Sequence, residues 1–252
     1  MKILSLKNVS KNFDGVTALN NCSFDVKEGE ILGLIGPNGS GKTTMFNVIT
    51  GIHEAGGGKI IYKGSDITEW KTNRIAYAGI GRTFQLIRLF PNLTAMDNML
   101  IAQKYDNAEN FWPQLIGKSK VNKEESNRKE KAMELLNLVN LGEKSSELAG
   151  NLSYGQQKLL EIIRAVAAEP RLLLLDEPIA GVNPTMTNQI LSLIRELNKK
   201  GTTIIIIEHN MGVVMNLCDR IVVMDSGKEI ASGRPGEIRK NKKVIEAYLG
   251  RK

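Results

Sequence analysis

The run Gly36-Pro37-Asn38-Gly39-Ser40-Gly41-Lys42-Thr43-Thr44 carries the densest chemical signal in the chain. It follows the apolar stretch Ile31-Leu32-Gly33-Leu34-Ile35 and leads into Met45-Phe46-Asn47-Val48-Ile49, so strand, tight turn and helix are expected in that order. The spacing fits the phosphate-binding loop G-x-x-x-x-G-K-[ST]. Gly36, Gly39 and Gly41 let the backbone curl so that several N–H groups face phosphate oxygens, and the helix starting near Lys42 adds its positive dipole end. Lys42 is placed to reach β- and γ-phosphates, and the Thr43 hydroxyl to ligate Mg²⁺. A nucleoside triphosphate is the expected ligand.

A second source of chemistry is Leu172-Leu173-Leu174-Leu175-Asp176-Glu177, an apolar run ending in two carboxylates. A parallel strand beside the phosphate-loop strand would deliver them to the carboxyl edge of a sheet, where ligands bind in such folds. Asp176 then holds Mg²⁺ through water, and Glu177 polarises a water for in-line attack on the γ-phosphate. Between the two motifs, Leu152-Ser153-Tyr154-Gly155-Gln156-Gln157 precedes a helical run from Lys158 to Ala168. Ser153 reads as its N-cap, which makes the helix start a second anion site.

The elements that must position these groups fall into three stretches. From Met1 to Val26 the pattern is two strands, one with Ile3, Leu4, Leu6 and Val9, the other with Leu19, Phe24 and Val26. A glycine break at Gly56-Gly57-Gly58 and a strand Lys59 to Tyr62 follow; a short helix from about Thr72 then leads to a strand from Gly79 to Phe84, ending at Gln85. Residues from about Leu93 to Ala168 carry helical periodicity, interrupted by a charge-mixed interval from Lys104 to Lys131. The last third returns to α/β alternation: a helix from Pro184 to Lys200, a strand Thr202 to Ile207, and a hairpin turning at Asp225-Ser226-Gly227. A basic tail ends in a helix with Val244, Ile245, Tyr248 and Leu249.

Composition bounds the class. The chain has 252 residues, 42% hydrophobic and 24% charged, enough for one core or a core with a satellite. The net charge of +7 is compatible with nucleic acid, an anionic membrane face or nucleotide, and does not choose among them. Cys22 and Cys218 stand in no ligand spacing and read as buried packing. The amino terminus alternates like a strand and lacks a signal-peptide core, and no segment approaches the ~18 apolar residues of a membrane span, so any membrane work is expected to go through a partner.

Taken together, the ordered motifs resemble those of the ATP-binding subunits of ABC transporters, over essentially Lys2 to Leu249. The resemblance implies an α/β fold: a P-loop NTPase core with a mixed sheet and an antiparallel β subdomain (1–85 and 169–252), plus a helical signature-motif subdomain (86–168). It implies ATP and Mg²⁺ as ligands, with Phe13 stacked on adenine, Gln85 near Mg²⁺ and the attacking water, and His209 against the γ-phosphate. It also implies a head-to-tail pair of subunits in which Ser153, Gly155 and Gln156 of one close over the ATP held by Lys42 of the other. Two permease subunits would be partners, with a substrate-binding protein engaged indirectly, at the cytoplasmic face of the membrane; no nucleic acid is expected.

The chain departs from the general family at Tyr154, where glycine is usual, and at Asn183, in the loop Ala180 to Asn183, where aspartate is common. These features, with Gly81-Arg82-Thr83-Phe84-Gln85, Arg88-Leu89-Phe90, the 104–131 insertion and the ending Val244 to Gly250, are similar to the branched-chain amino acid importer subfamily. Other cargoes (urea, another amino acid, an exported lipid) and a soluble ABC ATPase acting on nucleic acid or ribosomes remain open from the sequence.

Overall fold

The computed structural model describes residues 1–103 and 118–249. The fold divides into two compact units, 1–82 with 171–178 and 194–252, and 83–170 with 179–193.

The first unit holds two sheets. β1 (Lys2–Phe13), β2 (Val16–Cys22), β3 (Asp25–Lys27), β5 (Gly57–Tyr62) and β6 (Ser65–Asp66) make an antiparallel sheet in which β1 pairs with β2, β3 and β5. The expected second strand is thus two strands, because β1 serves β2 over its second half and β3 over its first. Gly57 and Gly58 open β5 and do not interrupt it. A side chain at Gly58 would meet the Asn8 carbonyl oxygen at 2.4 Å, so two backbones approach there as only glycine permits.

The other sheet has the order β11-β10-β4-β9-β8-β7, built from β4 (Ile31–Ile35), β7 (Ile80–Arg82), β8 (Leu172–Asp176), β9 (Thr203–Ile207), β10 (Arg220–Asp225) and β11 (Lys228–Gly233). All neighbours are parallel except β10 and β11, the expected hairpin. β4, β8 and β9 are buried at every position, as continuous apolar runs covered on both faces must be. The phosphate-loop strand β4 lies between β10 and β9, so the expectation that the Asp176 strand sits directly beside it is corrected by one place: β9 intervenes. β8 and β9 are equally apolar, and nothing local in either run sets their order. Register keeps the functional ends level, since Ile207 pairs with both Leu34 and Asp176.

Helix α1 (Lys42–Ile49) follows the loop; its Met45, Phe46, Val48 and Ile49 join side chains from both sheets, among them Leu4, Leu6, Ile60, Leu34, Leu174 and Ile205, in one apolar cluster. Burying such side chains is worth about 1.5–3 kcal/mol each, so the loop is anchored through its helix. α2 (Thr72–Tyr77), α7 (Met211–Leu217), α8 (Pro235–Ile238) and α9 (Lys242–Leu249) complete this unit. Burial pushes the Cys22 and Cys218 thiols up to about 11 and about 12, which leaves both as packing groups.

The second unit contains α3 (Ala95–Ala102), α4 (Lys118–Leu138), α5 (Tyr154–Val166) and the first part of α6 (Pro184–Lys199). α3 begins with a reciprocal cap between Thr94 and Asp97. Asn98, fully buried, bonds the backbone of Phe90 and Thr94 and so fixes the loop ahead of the helix. Of the 104–131 interval, 104–117 lies outside the described residues and the remainder belongs to α4, where exposed Lys129 and Glu125 pair at 2.8 Å. Among the described residues no helix is long and apolar enough to cross a membrane.

Candidate functional site: a phosphate loop and a carboxylate pair

Gly36, Gly39 and Gly41 all take positive φ, at 152°, 77° and 101°. A Cβ on Gly36 would stand 2.1 Å from the Met224 carbonyl oxygen, and one on Gly41 would stand 2.5 Å from that of Ala18, so neither position admits a side chain. Lys42 folds back into this curl. Its ammonium donates to the carbonyls of Gly36 (2.8 Å) and Pro37 (3.0 Å), with the Ser40 hydroxyl at 3.5 Å. Burial pulls the Lys42 ammonium below its usual range, opposed by the charges of Glu177 and Asp176. Pro37 is half-buried; Asn38, Gly39 and Thr43 are exposed, Thr44 is half-buried, and Ser40 is buried beneath the turn.

Across the sheet, Asp176 closes β8 with its side chain 3% exposed. Glu177 follows with φ of 47°, a left-handed conformation that costs a non-glycine residue about 1–2 kcal/mol. Its N–H donates to the Ile207 carbonyl at 3.0 Å, which holds the turn against the end of β9. His209, two residues past β9, places Nε2 3.1 Å from Glu177 Oε1. The level ends of β4, β9 and β8 therefore bring a phosphate-type loop, an imidazole and two carboxylates to one edge. A cation with anionic partners facing the same edge suits transfer of a phosphoryl group to water.

Phe13 is 38% exposed, and its ring meets that of His53 edge-on at 5.1 Å, with the Lys11 ammonium 5.1 Å above it. His53 thus has a place that sequence reading did not give it. Two further residues were missed. Arg82 makes a buried ion pair with Asp176 at 3.2 Å. Tyr248, on α9, has its phenol pushed up by burial and receives a hydrogen bond from the Gly36 N–H. A lone arginine in an apolar strand hints at a buried partner; nothing local announces the tyrosine.

The remaining expected residues belong to the second unit. Ser153 caps α5: its hydroxyl accepts from the Gln156 N–H at 3.4 Å, while Gln156 Oε1 accepts from the Ser153 N–H at 3.0 Å. Gly155 lies under Met186, whose Cγ would be 2.6 Å from a Cβ there. The ring of Tyr154 crowds Gly181, and Asn183 Oδ1 accepts from the Met186 N–H at 2.9 Å, so the asparagine caps α6. Gln85 is exposed, and its carbonyl accepts from the Lys158 ammonium at 3.0 Å, on a side chain otherwise buried.

The sequence profile described as ABC transporter matches residues 19–180. The chain belongs to the ABC transporter ATPases. Cassettes of this family bind and hydrolyse ATP, and the cassette is an ATPase. A second profile, described as branched-chain amino acid ATP-binding cassette transporter, matches residues 228–252. The cassette is 41% identical over 249 residues to the high-affinity branched-chain amino acid transport ATP-binding protein BraF of Pseudomonas aeruginosa, covering 98% of each chain. Among solved structures it is similar to an ABC transporter cassette in its ADP conformation, with TM-score 0.85 and 37% identity over 99% of both chains. It also resembles a dimeric cassette bound to ADP and phosphate after hydrolysis, with TM-score 0.77 and 27% identity, covering 92% of this chain and 98% of that one.

Proposed function

We propose that the cassette powers an importer of branched-chain amino acids from the cytoplasmic face of the membrane. It works as one half of a head-to-tail pair, docked on two permease subunits that a substrate-binding protein serves. The observation that carries the ATPase half is the 3.1 Å approach of His209 to Glu177 beside the buried Asp176. The cargo reading rests on the tail profile over residues 228–252 and on what BraF is named for.

Within the site, Lys42 leaves its two carbonyls for the β- and γ-phosphates, and Phe13 stacks on the base. Backbone N–H groups of residues 36–44 surround the phosphates. Glu177 accepts the proton of the attacking water, and His209 orients that carboxylate and contacts the γ-phosphate. The donors the first unit presents, one hydroxyl at Thr43 and one carboxylate at Asp176, are oxygen ligands too few for a closed cage, which suits a Mg²⁺ ion that would draw its other ligands from phosphate oxygens and water. Mg²⁺, when bound, neutralises charge on the β- and γ-phosphates. Ser153, Gly155 and Gln156 close over the γ-phosphate held by the partner cassette, so cleavage removes the bridging anion and loosens the pair.

Uptake of labelled leucine by vesicles carrying the cassette with its cognate permease tests the whole reading. ATP-dependent uptake competed by isoleucine and valine is expected; transport of urea in its place would overturn the cargo.

A further inference from the structure

Arg82 ends the edge strand β7 at the level of Leu174, with its side chain only 6% exposed. Its guanidinium reaches in three directions. Nη2 lies 3.2 Å from Asp176 Oδ2. Nη1 donates to Asn47 Oδ1 at 2.7 Å and to Thr50 Oγ1 at 3.2 Å, and the group lies 5.4 Å from the centre of the Phe46 ring. Phe46 and Asn47 are one helical turn beyond Lys42 and Thr43 on α1, and Thr50 caps that helix. The cation is therefore fastened to the helix that carries the phosphate loop, while its fork holds the carboxylate at the end of β8.

We propose that Arg82 is the resident counter-ion of Asp176, a positioning residue whose charge competes with the divalent cation and so limits how tightly the cassette holds it. Two carboxylates, Asp176 and Glu177, stand side by side at this edge, and burying Asp176 at 3% exposure without a partner charge is costly. Arg82 supplies such a charge. When Mg²⁺ arrives with ATP, the same carboxylate has a second cation to attend, and repulsion between the two cations weakens the hold on the metal. A cassette that must discharge its product each cycle gains by such a built-in rival. The inference rests on the reading that Asp176 attends the magnesium.

The test uses the full chain with Glu177→Gln to block turnover, and Mn²⁺ as the probe, its binding read by electron paramagnetic resonance with ATP present. Arg82→Gln is expected to tighten Mn²⁺ by about tenfold or more, whereas Arg82→Lys, which keeps the charge, stays within about threefold of the parent. A merely structural role would not produce that charge-dependent gain. Mg²⁺ alone should also raise the melting temperature of nucleotide-free Arg82→Gln and leave the parent unmoved. Mn²⁺ affinity equal to or weaker than the parent's in folded Arg82→Gln overturns the proposal. Should that variant fail to fold, the parent decides: the side-chain ¹⁵N signal of Arg82 shifts when Mg²⁺ is added to ATP-loaded protein, and an unmoved signal overturns the proposal. Asp176→Asn tests the premise separately, since unchanged Mn²⁺ affinity there overturns both readings.

Discussion

His209 Nε2 and Glu177 Oε1 stand 3.1 Å apart, joined across the ends of two neighbouring strands by a residue in left-handed conformation. This approach requires a proton between the two groups, on Nε2 when the carboxylate is ionised, so the acceptor lobes that remain on Glu177 are aimed by the imidazole. This is the geometry of a base held by an orienting partner.

Glu177→Gln is expected to lower ATP turnover by about a hundredfold or more while ATP still binds. His209→Ala should also reduce turnover, and the double variant should be no slower than Glu177→Gln alone, because residues acting as one unit are not additive. Phosphate release measures all three. Losses that multiply would separate the pair.

Lys42→Ala removes the cation from a loop already shaped to hold it. Without its charge-assisted hydrogen bonds to the phosphates, binding weakens by about 2 kcal/mol or more, roughly thirtyfold in ATP affinity. The melting temperature should change little, since the ammonium's hydrogen bonds are to loop carbonyls and a hydroxyl, and the cost of its burial outweighs the attraction of Glu177 and Asp176. Fluorescent nucleotide titration checks this, and undiminished affinity would move the phosphates elsewhere.

Ser153→Ala deletes the acceptor for the Gln156 N–H and should cost about 1 kcal/mol of stability. In the Glu177→Gln background it should also abolish the ATP-dependent dimer seen by light scattering. A variant that loses stability and still dimerises would restrict Ser153 to capping.

Glu161, 5% exposed on α5, has its carboxyl pushed above 4.5 by burial, against the pull of Lys158 and of the backbone N–H groups of Arg88 and Phe84. A raised folded-state value favours the protonated form, so the contribution to stability is full below the unfolded value and is lost as pH rises through the folded one. Glutamine does not titrate. The melting temperature of Glu161→Gln minus that of the parent should therefore grow as pH climbs above 4.5 and then level off; calorimetry across that range would refute this if the difference stayed flat.

Local chemistry was legible where the physics is local. The glycine spacing of the loop, the serine cap at 153 and the turn at Asp225-Ser226-Gly227 each determine their own backbone, and each appears where the sequence places it. What depended on distant pairing was not legible. The order of β8 and β9 is set by which apolar run reaches β4, and β1 divides its length among three partners for reasons spread over the chain. Arg82 acquires its meaning only when β7 docks beside β8, and Tyr248 only when the last helix returns to Gly36.

The ammonium of Lys42 is already chelated by the carbonyls of Gly36 and Pro37. An arriving molecule must outcompete those two neutral oxygens, which doubly charged phosphoryl groups do and a bare nucleoside cannot. The loop thus carries its own stand-in for a polyphosphate, and discrimination in favour of the charged tail over the base resides in that internal competition.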